Sequence, residues 1–101
     1  AERTYLSVRE SDATLLFFDK TLTPGTNLTR KICKQIGRPQ LMVDVSGEDA
    51  ECVRRIVEWL SHEQPGILNV AGSRESKAPG IQARVHHLLL IVFVQLAPYL
   101  R

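Results

Sequence analysis

The sequence predicts an α/β fold in which the three strands of a parallel sheet alternate with three helices. Short apolar runs that suit buried strands alternate along the chain with segments whose apolar residues recur at helical spacing. Gly and Pro residues lie between these segments, where turns are expected. An alternation of strands and helices indicates parallel pairing with right-handed crossovers.

The first strand and helix have the clearest pattern. The continuous apolar run Ala13–Phe18 is typical of a strand that is buried on both faces of a parallel sheet. A turn with Pro and Gly follows, and residues 27–36 then carry their apolar side chains on one helical face. Gly37 suits the position just after the C-terminal end of that helix.

The second unit is predicted from a strand at residues 41–45 and a helix that ends before Pro65. Ser46 precedes two acidic residues in a pattern similar to a capping box, so we expect the helix to begin there. An apolar stripe from Val53 to Leu60 marks the buried face of this helix.

The third unit has a strand at residues 67–71, a polar loop at 72–77 and a final helix towards Ala97. Pro79 suits the first turn of that helix. Residues 88–97 are strongly apolar, but ten residues are too few for a bilayer, which needs about 20. We therefore expect no membrane partner. Length alone leaves helix and strand open for this run.

Composition narrows the range of functions. With 101 residues, the chain is expected to form a single domain over residues 1–101. The net charge of +2, from 13 basic and 11 acidic residues, gives no indication of nucleic-acid binding. Cys33 and Cys52 have neither CxxC nor zinc spacing, which predicts buried reduced thiols in a cytoplasmic protein.

The first candidate site is the turn between the first strand and its helix. Ligands of parallel sheets bind beyond the carboxyl ends of the strands, where this turn lies. A Gly lets the backbone approach an anion, and the helix start offers free N–H groups. The alternative is an ordinary turn with a Thr N-cap. The predicted ligand contacts are Thr23, Gly25, Thr26 and Asn27.

The second candidate is the loop after the third strand. Arg74 and Lys77 could hold an anion, and a Glu side chain could accept a hydrogen bond from a base or ribose. The alternative is a solvated loop with a surface Arg–Glu pair. The predicted ligand contacts are Gly72, Ser73, Arg74, Glu75 and Ser76. We predict no catalytic residue, and no metal site, because the adjacent His86 and His87 would point about 100° apart on a helix.

Successive segments resemble motifs of one family, the bacterial putative molybdenum carrier proteins. The segments are Arg3-Thr4, VRESDATLL at residues 8–16, LTPGTNLT at 22–29 and LNVAGSRESKAPGI at 68–81. The family is Rossmann-like and is related to the nucleotide-binding fold of lysine-decarboxylase-like proteins. The resemblance covers residues 2 to about 85 and is most specific in the last segment.

The resemblance implies a three-layer α/β/α fold and an anionic pterin or nucleotide ligand, with the molybdenum cofactor (molybdopterin) as one such ligand. The turn at Gly25 and Thr26 would take phosphate, and residues 72–76 would close over the same ligand. The protein would then be a carrier, and the metal would arrive on the sulfurs of the pterin. Two alternatives stay open: a nucleotide-processing enzyme of the phosphoribohydrolase type, with roles for Arg74 and Glu75, and a structural fragment without a ligand.

The sequence departs from the family pattern at both ends. The Gly-rich strand-turn-helix with which family members begin has no counterpart here, so we expect an incomplete Rossmann-like domain. At the other end, residues 88–97 are more apolar than the usual amphipathic helix. This segment would cover an exposed face of the sheet or form a homo-oligomer contact.

Overall fold

A computed structural model describes residues 2–99 and shows three parallel strands alternating with helices. In chain order the elements are α1 (Glu2–Arg9), β1 (Ala13–Phe18), α2 (Pro24–Ile36), β2 (Gln40–Asp44), α3 (Asp49–Glu63), β3 (Leu68–Gly72) and α4 (Ile81–Leu96), followed by a short 3-10 helix (Ala97–Tyr99). The predicted α/β class and the Rossmann-like architecture are confirmed.

The sheet has the order β2-β1-β3, and both neighbours pair with β1 in parallel. Leu15 in the middle of β1 lies opposite Leu41 on one side and Val70 on the other. The first five residues of β1 are buried, as the continuous apolar run predicts for a central strand. Because β1 is central in this order, β3 is an edge strand, and Val70 within it is 42% exposed.

Helices cover the two faces of the sheet with separate cores. The larger core lies under α3 and α4 and includes Leu15 and Phe17 of β1. The smaller core lies under α1 and α2 and consists of Val8, Ile32 and Cys33. The arrangement is a three-layer α/β/α fold. Burial raises the pKa of the Cys33 and Cys52 thiols, and both are buried and unpaired, as predicted.

Both ends of α2 are set by local backbone chemistry. Thr23 is the N-cap, and its side chain accepts a hydrogen bond from the Thr26 N–H at 3.3 Å. With Pro24 in the first turn, α2 starts three residues earlier than the apolar periodicity predicts. Gly37 ends the helix at φ 80°, and its N–H donates to the Cys33 carbonyl at 2.9 Å, which confirms the predicted terminus.

Two predicted helix starts are wrong. α3 begins at Asp49 with Glu48 as the N-cap, because the Ser46 hydroxyl donates instead to Asp44 Oδ1 at 2.7 Å. Pro79 precedes the first turn of α4, because Gly80 at φ 89° is its N-cap. In both cases a side chain or a left-handed Gly stabilises a tight turn just before the helix.

Helix α1 is missing from the prediction made from the sequence. Of its side chains only Val8 is buried, whereas Tyr5 and Leu6 are 42% and 36% exposed. One buried residue produces no apolar stripe at helical spacing, so periodicity could not detect the helix. β2 and β3 are each displaced by one residue from their predicted bounds.

The apolar run at residues 88–97 is helical, except that Ala97 begins the 3-10 turn. Together the two helices form a continuous segment, Ile81–Tyr99, of 19 residues, and a window of 18 residues within it has a mean hydropathy of 1.3 and is 17% buried. By length and composition alone this segment could cross a membrane, a test that core helices and signal sequences also pass. The ten-residue length considered from the sequence therefore underestimates the helix.

A polar link joins α3 to α4 at the larger core. Arg84 of α4 forms an ion pair with Asp49 and donates to the Val45 carbonyl at 2.8 Å. His87 Nε2 lies 3.1 Å from the other Asp49 oxygen. The Arg84 guanidinium holds the pKa of Asp49 below its usual value.

Candidate functional site

The two loops that the sequence singles out meet at one cleft of about 500 Å³, which we call the basic cleft. It lies on the side of β3 that faces α1 and α2. Its lining comes from α1 (Arg3, Thr4, Ser7), the start of α2 (Thr23, Pro24, Gly25, Thr26, Thr29), β3 (Asn69, Val70, Ala71, Gly72) and the following loop (Arg74, Lys77).

The start of α2 is a compact cluster of hydroxyl groups. Thr26 Oγ1 donates to the Thr23 carbonyl at 3.0 Å, and Thr29 Oγ1 donates to the Gly25 carbonyl at 3.1 Å. A Cβ at Gly25 would meet only Thr23 Oγ1, at 4.0 Å, so the backbone is open to the cleft. Because Pro24 has no N–H, Gly25 carries the first backbone donor of the helix, at the positive end of the helix dipole.

The loop after β3 places two cations on the same cleft. The Ser73 N–H donates to the Phe17 carbonyl at 3.1 Å, which ties the loop to the end of β1. The N–H groups of Lys77 and Ala78 both donate to the Arg74 carbonyl, at 2.9 and 3.0 Å. This turn brings Arg74 and Lys77 to the cleft, where Arg3 adds a third cation.

Five of the nine predicted ligand contacts line the basic cleft, namely Thr23, Gly25, Thr26, Gly72 and Arg74. Glu75 lies elsewhere, because its carboxylate accepts the Gly80 N–H at 2.5 Å and the Gln82 N–H at 3.1 Å. These bonds lower the pKa of Glu75 and make it a side-chain cap for α4.

The other three predicted contacts also lie outside the lining of the basic cleft. Asn27 Oδ1 accepts hydrogen bonds from Arg30 at 2.9 and 3.2 Å along α2. Ser76 is exposed. Ser73 is buried and lines a different cleft, on the α4 side of β3.

Sequence reasoning missed the contribution of α1 and most of that of β3. Arg3, Thr4 and Ser7 reach the cleft only because α1 forms, and the Arg3-Thr4 match to the family was the one signal for them. Asn69 donates to Thr14 Oγ1 at 3.2 Å, which fixes it against the central strand.

A second hollow lies away from the predicted ligand contacts. A groove of about 630 Å³ runs between the end of α3 and the end of α4, near the start of β3. Its lining is mostly apolar and includes Leu60, Leu68, Phe93 and Leu96, but none of the predicted ligand contacts. Within residues 2–99 no group of three or more His, Cys, Asp or Glu side chains could hold a metal ion.

Comparisons with known proteins assign the chain to a family. A model of the Circularly permutated YpsA SLOG family matches residues 1–93. The crystal structure of a putative molybdenum carrier protein from Syntrophus aciditrophicus SB superimposes with a TM-score of 0.86 at 29% identity, which confirms the resemblance inferred from the motifs. The match covers 90% of this chain but 58% of that protein, so the chain spans little more than half the length of its relative.

A comparison with curated proteins found no match. The family model covers all but the last eight of the 101 residues. The chain therefore belongs to the circularly permutated YpsA SLOG family.

Proposed function

We propose that the protein is a carrier that binds a small phosphorylated ligand, a pterin or a nucleotide, in the basic cleft. One observation carries this proposal: Arg3, Arg74 and Lys77 converge on the cleft that the start of α2 also lines. No Asp or Glu is among the residues that line it.

Each part of the cleft favours a phosphate group. An Arg guanidinium binds phosphate oxygens through paired N–H groups, and Lys adds a compact positive charge. The N-terminus of the 13-residue helix α2 contributes backbone donors and a positive partial charge. Three cations without a lining carboxylate make the cleft attractive to an anion before any contact forms.

The molybdenum cofactor is one ligand of the proposed class, in keeping with the name of the structural relative. Its phosphate would lie among Arg3, Arg74 and Lys77. Its metal would travel as cargo on the sulfurs of the pterin, with no protein side chain required to ligate it.

The position of Glu75 favours binding over turnover. A phosphoribohydrolase-type reaction would draw on a carboxylate beside the ligand, but Glu75 accepts the N–H groups of Gly80 and Gln82 at the start of α4. The side chains that do line the cleft are suited to hold an anion, and none of them is a carboxylate.

The test is calorimetric titration of the protein with ribose 5-phosphate and with GMP. We expect Arg74→Ala to weaken the binding of both ligands by about 10-fold or more, since hydrogen bonds between charged groups contribute about 1.5–3 kcal/mol. Arg55→Ala, at an exposed position on α3, is the matched control and should bind as wild type does.

Native mass spectrometry of gently purified protein, with metal analysis of the same sample, would identify a ligand that is carried over from the cell. Failure of both phosphates to bind at millimolar concentration, or equal binding by Arg74→Ala, would contradict the proposal.

A further inference from the structure

Ser73 presents an unexplained polar group next to the basic cleft. The residue is 8% exposed, and its buried hydroxyl has no hydrogen-bond partner within the described residues. Buried hydroxyl groups in native proteins nearly always have a partner, so an unpaired one points to a partner that the described residues do not supply.

Ser73 is one of the residues that line a second cleft, of about 330 Å³, on the α4 side of β3, which we call the ring cleft. Its walls are mainly apolar and include Val70, Val85 and Leu89. Its polar lining residues are Ser73, Gln82 and His86, and no Asp, Glu, Lys or Arg lines it. The volume lies at the low end of the range for ligand pockets and suits a single ring system.

The ring cleft and the basic cleft share three lining residues, Val70, Ala71 and Gly72. Val70 lies in register with Leu15, whose side chain belongs to the core under α3 and α4. β3 is an edge strand, and these three of its residues line both clefts. A ligand with two parts and a short linker can therefore reach both clefts across the exposed edge of β3.

We propose that the ring cleft holds the heterocyclic ring of the ligand whose phosphate lies in the basic cleft, and that the Ser73 hydroxyl hydrogen-bonds to the edge of this ring. The inference rests on the proposed function and extends it to specificity. Apolar walls without charged side chains favour a flat, neutral ring, and a hydroxyl can either donate to or accept from a ring nitrogen or oxygen.

The experiment compares two ligands that differ only in the ring. GMP and ribose 5-phosphate share the sugar phosphate, and guanine has the same amino- and oxo-substituted pyrimidine edge as a pterin. We expect wild type to bind GMP at least 10-fold more tightly than ribose 5-phosphate. Ser73→Ala should weaken GMP binding by about 5-fold, the value of one hydrogen bond, without changing ribose 5-phosphate binding.

Ser76→Ala is the matched control, because Ser76 lies in the same loop, is exposed and lines neither cleft. It should bind both ligands as wild type does. If thermal unfolding shows that Ser73→Ala is not folded, His86→Ala replaces it, since His86 is exposed and lines only the ring cleft. It should likewise weaken GMP binding alone.

The outcomes separate this inference from the proposed function. Equal affinities for GMP and ribose 5-phosphate would contradict the proposed role of the ring cleft, and so would a Ser73→Ala variant that binds GMP as wild type does. Neither result would contradict the proposed phosphate site. A loss of both ligands in Ser73→Ala also overturns the proposed role of the ring cleft, because Ser73 would then act on the phosphate. If neither ligand binds wild type, the proposed function itself fails.

Discussion

Neighbouring side chains in the loop after β3 serve different parts of the molecule. Arg74 lines the basic cleft, whereas Glu75 accepts two backbone N–H groups at the start of α4. A carboxylate at this position offsets the positive end of the α4 dipole and satisfies donors that the helix itself leaves unpaired. The loop therefore couples the position of a cation in the cleft to the start of α4.

The pH dependence of stability follows from the Glu75 contacts. The N–H groups of Gly80 and Gln82 lower the pKa of Glu75 from its usual value of 4.5. Ionised Glu75 therefore stabilises the fold above about pH 4.5, and this contribution is lost as the pH falls through the lowered pKa. We expect Glu75→Gln to lower the Tm by a few degrees at pH 7 and to differ less from wild type near pH 3.

Thermal unfolding followed by circular dichroism from pH 3 to 7 measures this effect. Glu10→Gln, at an exposed position before β1, is the control for the loss of a surface charge. A Glu75→Gln variant whose Tm tracks that of wild type across this range would show that the cap contributes nothing.

The sequence identifies which loops reach the site, but it does not show where each side chain points. The sequence predicts Thr23, Gly25 and Arg74 as site residues from their positions after strands, from the glycine and from the positive charge, and all three line the basic cleft. Glu75 and Ser73 could not be assigned, because rotation within a turn decides whether a polar side chain faces a ligand, a helix end or a second cleft. That rotation depends on tertiary hydrogen bonds such as Ser73 N–H to the Phe17 carbonyl.

At the scale of elements, α2 links fold stability to the site, because its first turn is both a helix cap and a wall of the basic cleft. Thr23 Oγ1 accepts the Thr26 N–H and lies 3.1 Å from Thr26 Oγ1. Loss of an N-cap hydroxyl typically costs about 1 kcal/mol. We expect Thr23→Ala to lower the free energy of unfolding by about that amount in urea titrations.

Thr23→Ser keeps the hydroxyl and should retain most of the stability of wild type. If Ser and Ala at this position are equally destabilising, the methyl group and not the cap carries the effect.

Elements with a continuous apolar run or a clear helical stripe were predicted within a few residues. β1 matches its predicted bounds, because a strand that is buried on both faces needs an unbroken apolar run. β2 and β3 are displaced by one residue. α1 could not be found, since its one buried residue, Val8, reaches the core only through packing on α2. Tertiary contact, and not local pattern, makes that segment helical.

At the scale of the whole molecule, the outer face of α4 is an apolar surface that the described residues, 2–99, leave uncovered. Leu90, Phe93 and Val94 are 54%, 44% and 72% exposed. Phe93 also lines the groove beside the end of α3, so the exposed face continues into that groove. Residues 88–99 carry no charged side chain, so a second copy could pack on this face without removing a charge from water.

We therefore expect wild type to self-associate through α4 at micromolar concentration, with two copies packing this face against each other. Val94→Lys would bury an unpaired charge in that contact and should convert the protein to a monomer. Gln95→Lys adds the same charge at an adjacent exposed polar position and should leave the association intact. Size-exclusion chromatography with light scattering decides between these outcomes. A wild-type protein that is a monomer at these concentrations would show that no second copy covers the α4 face.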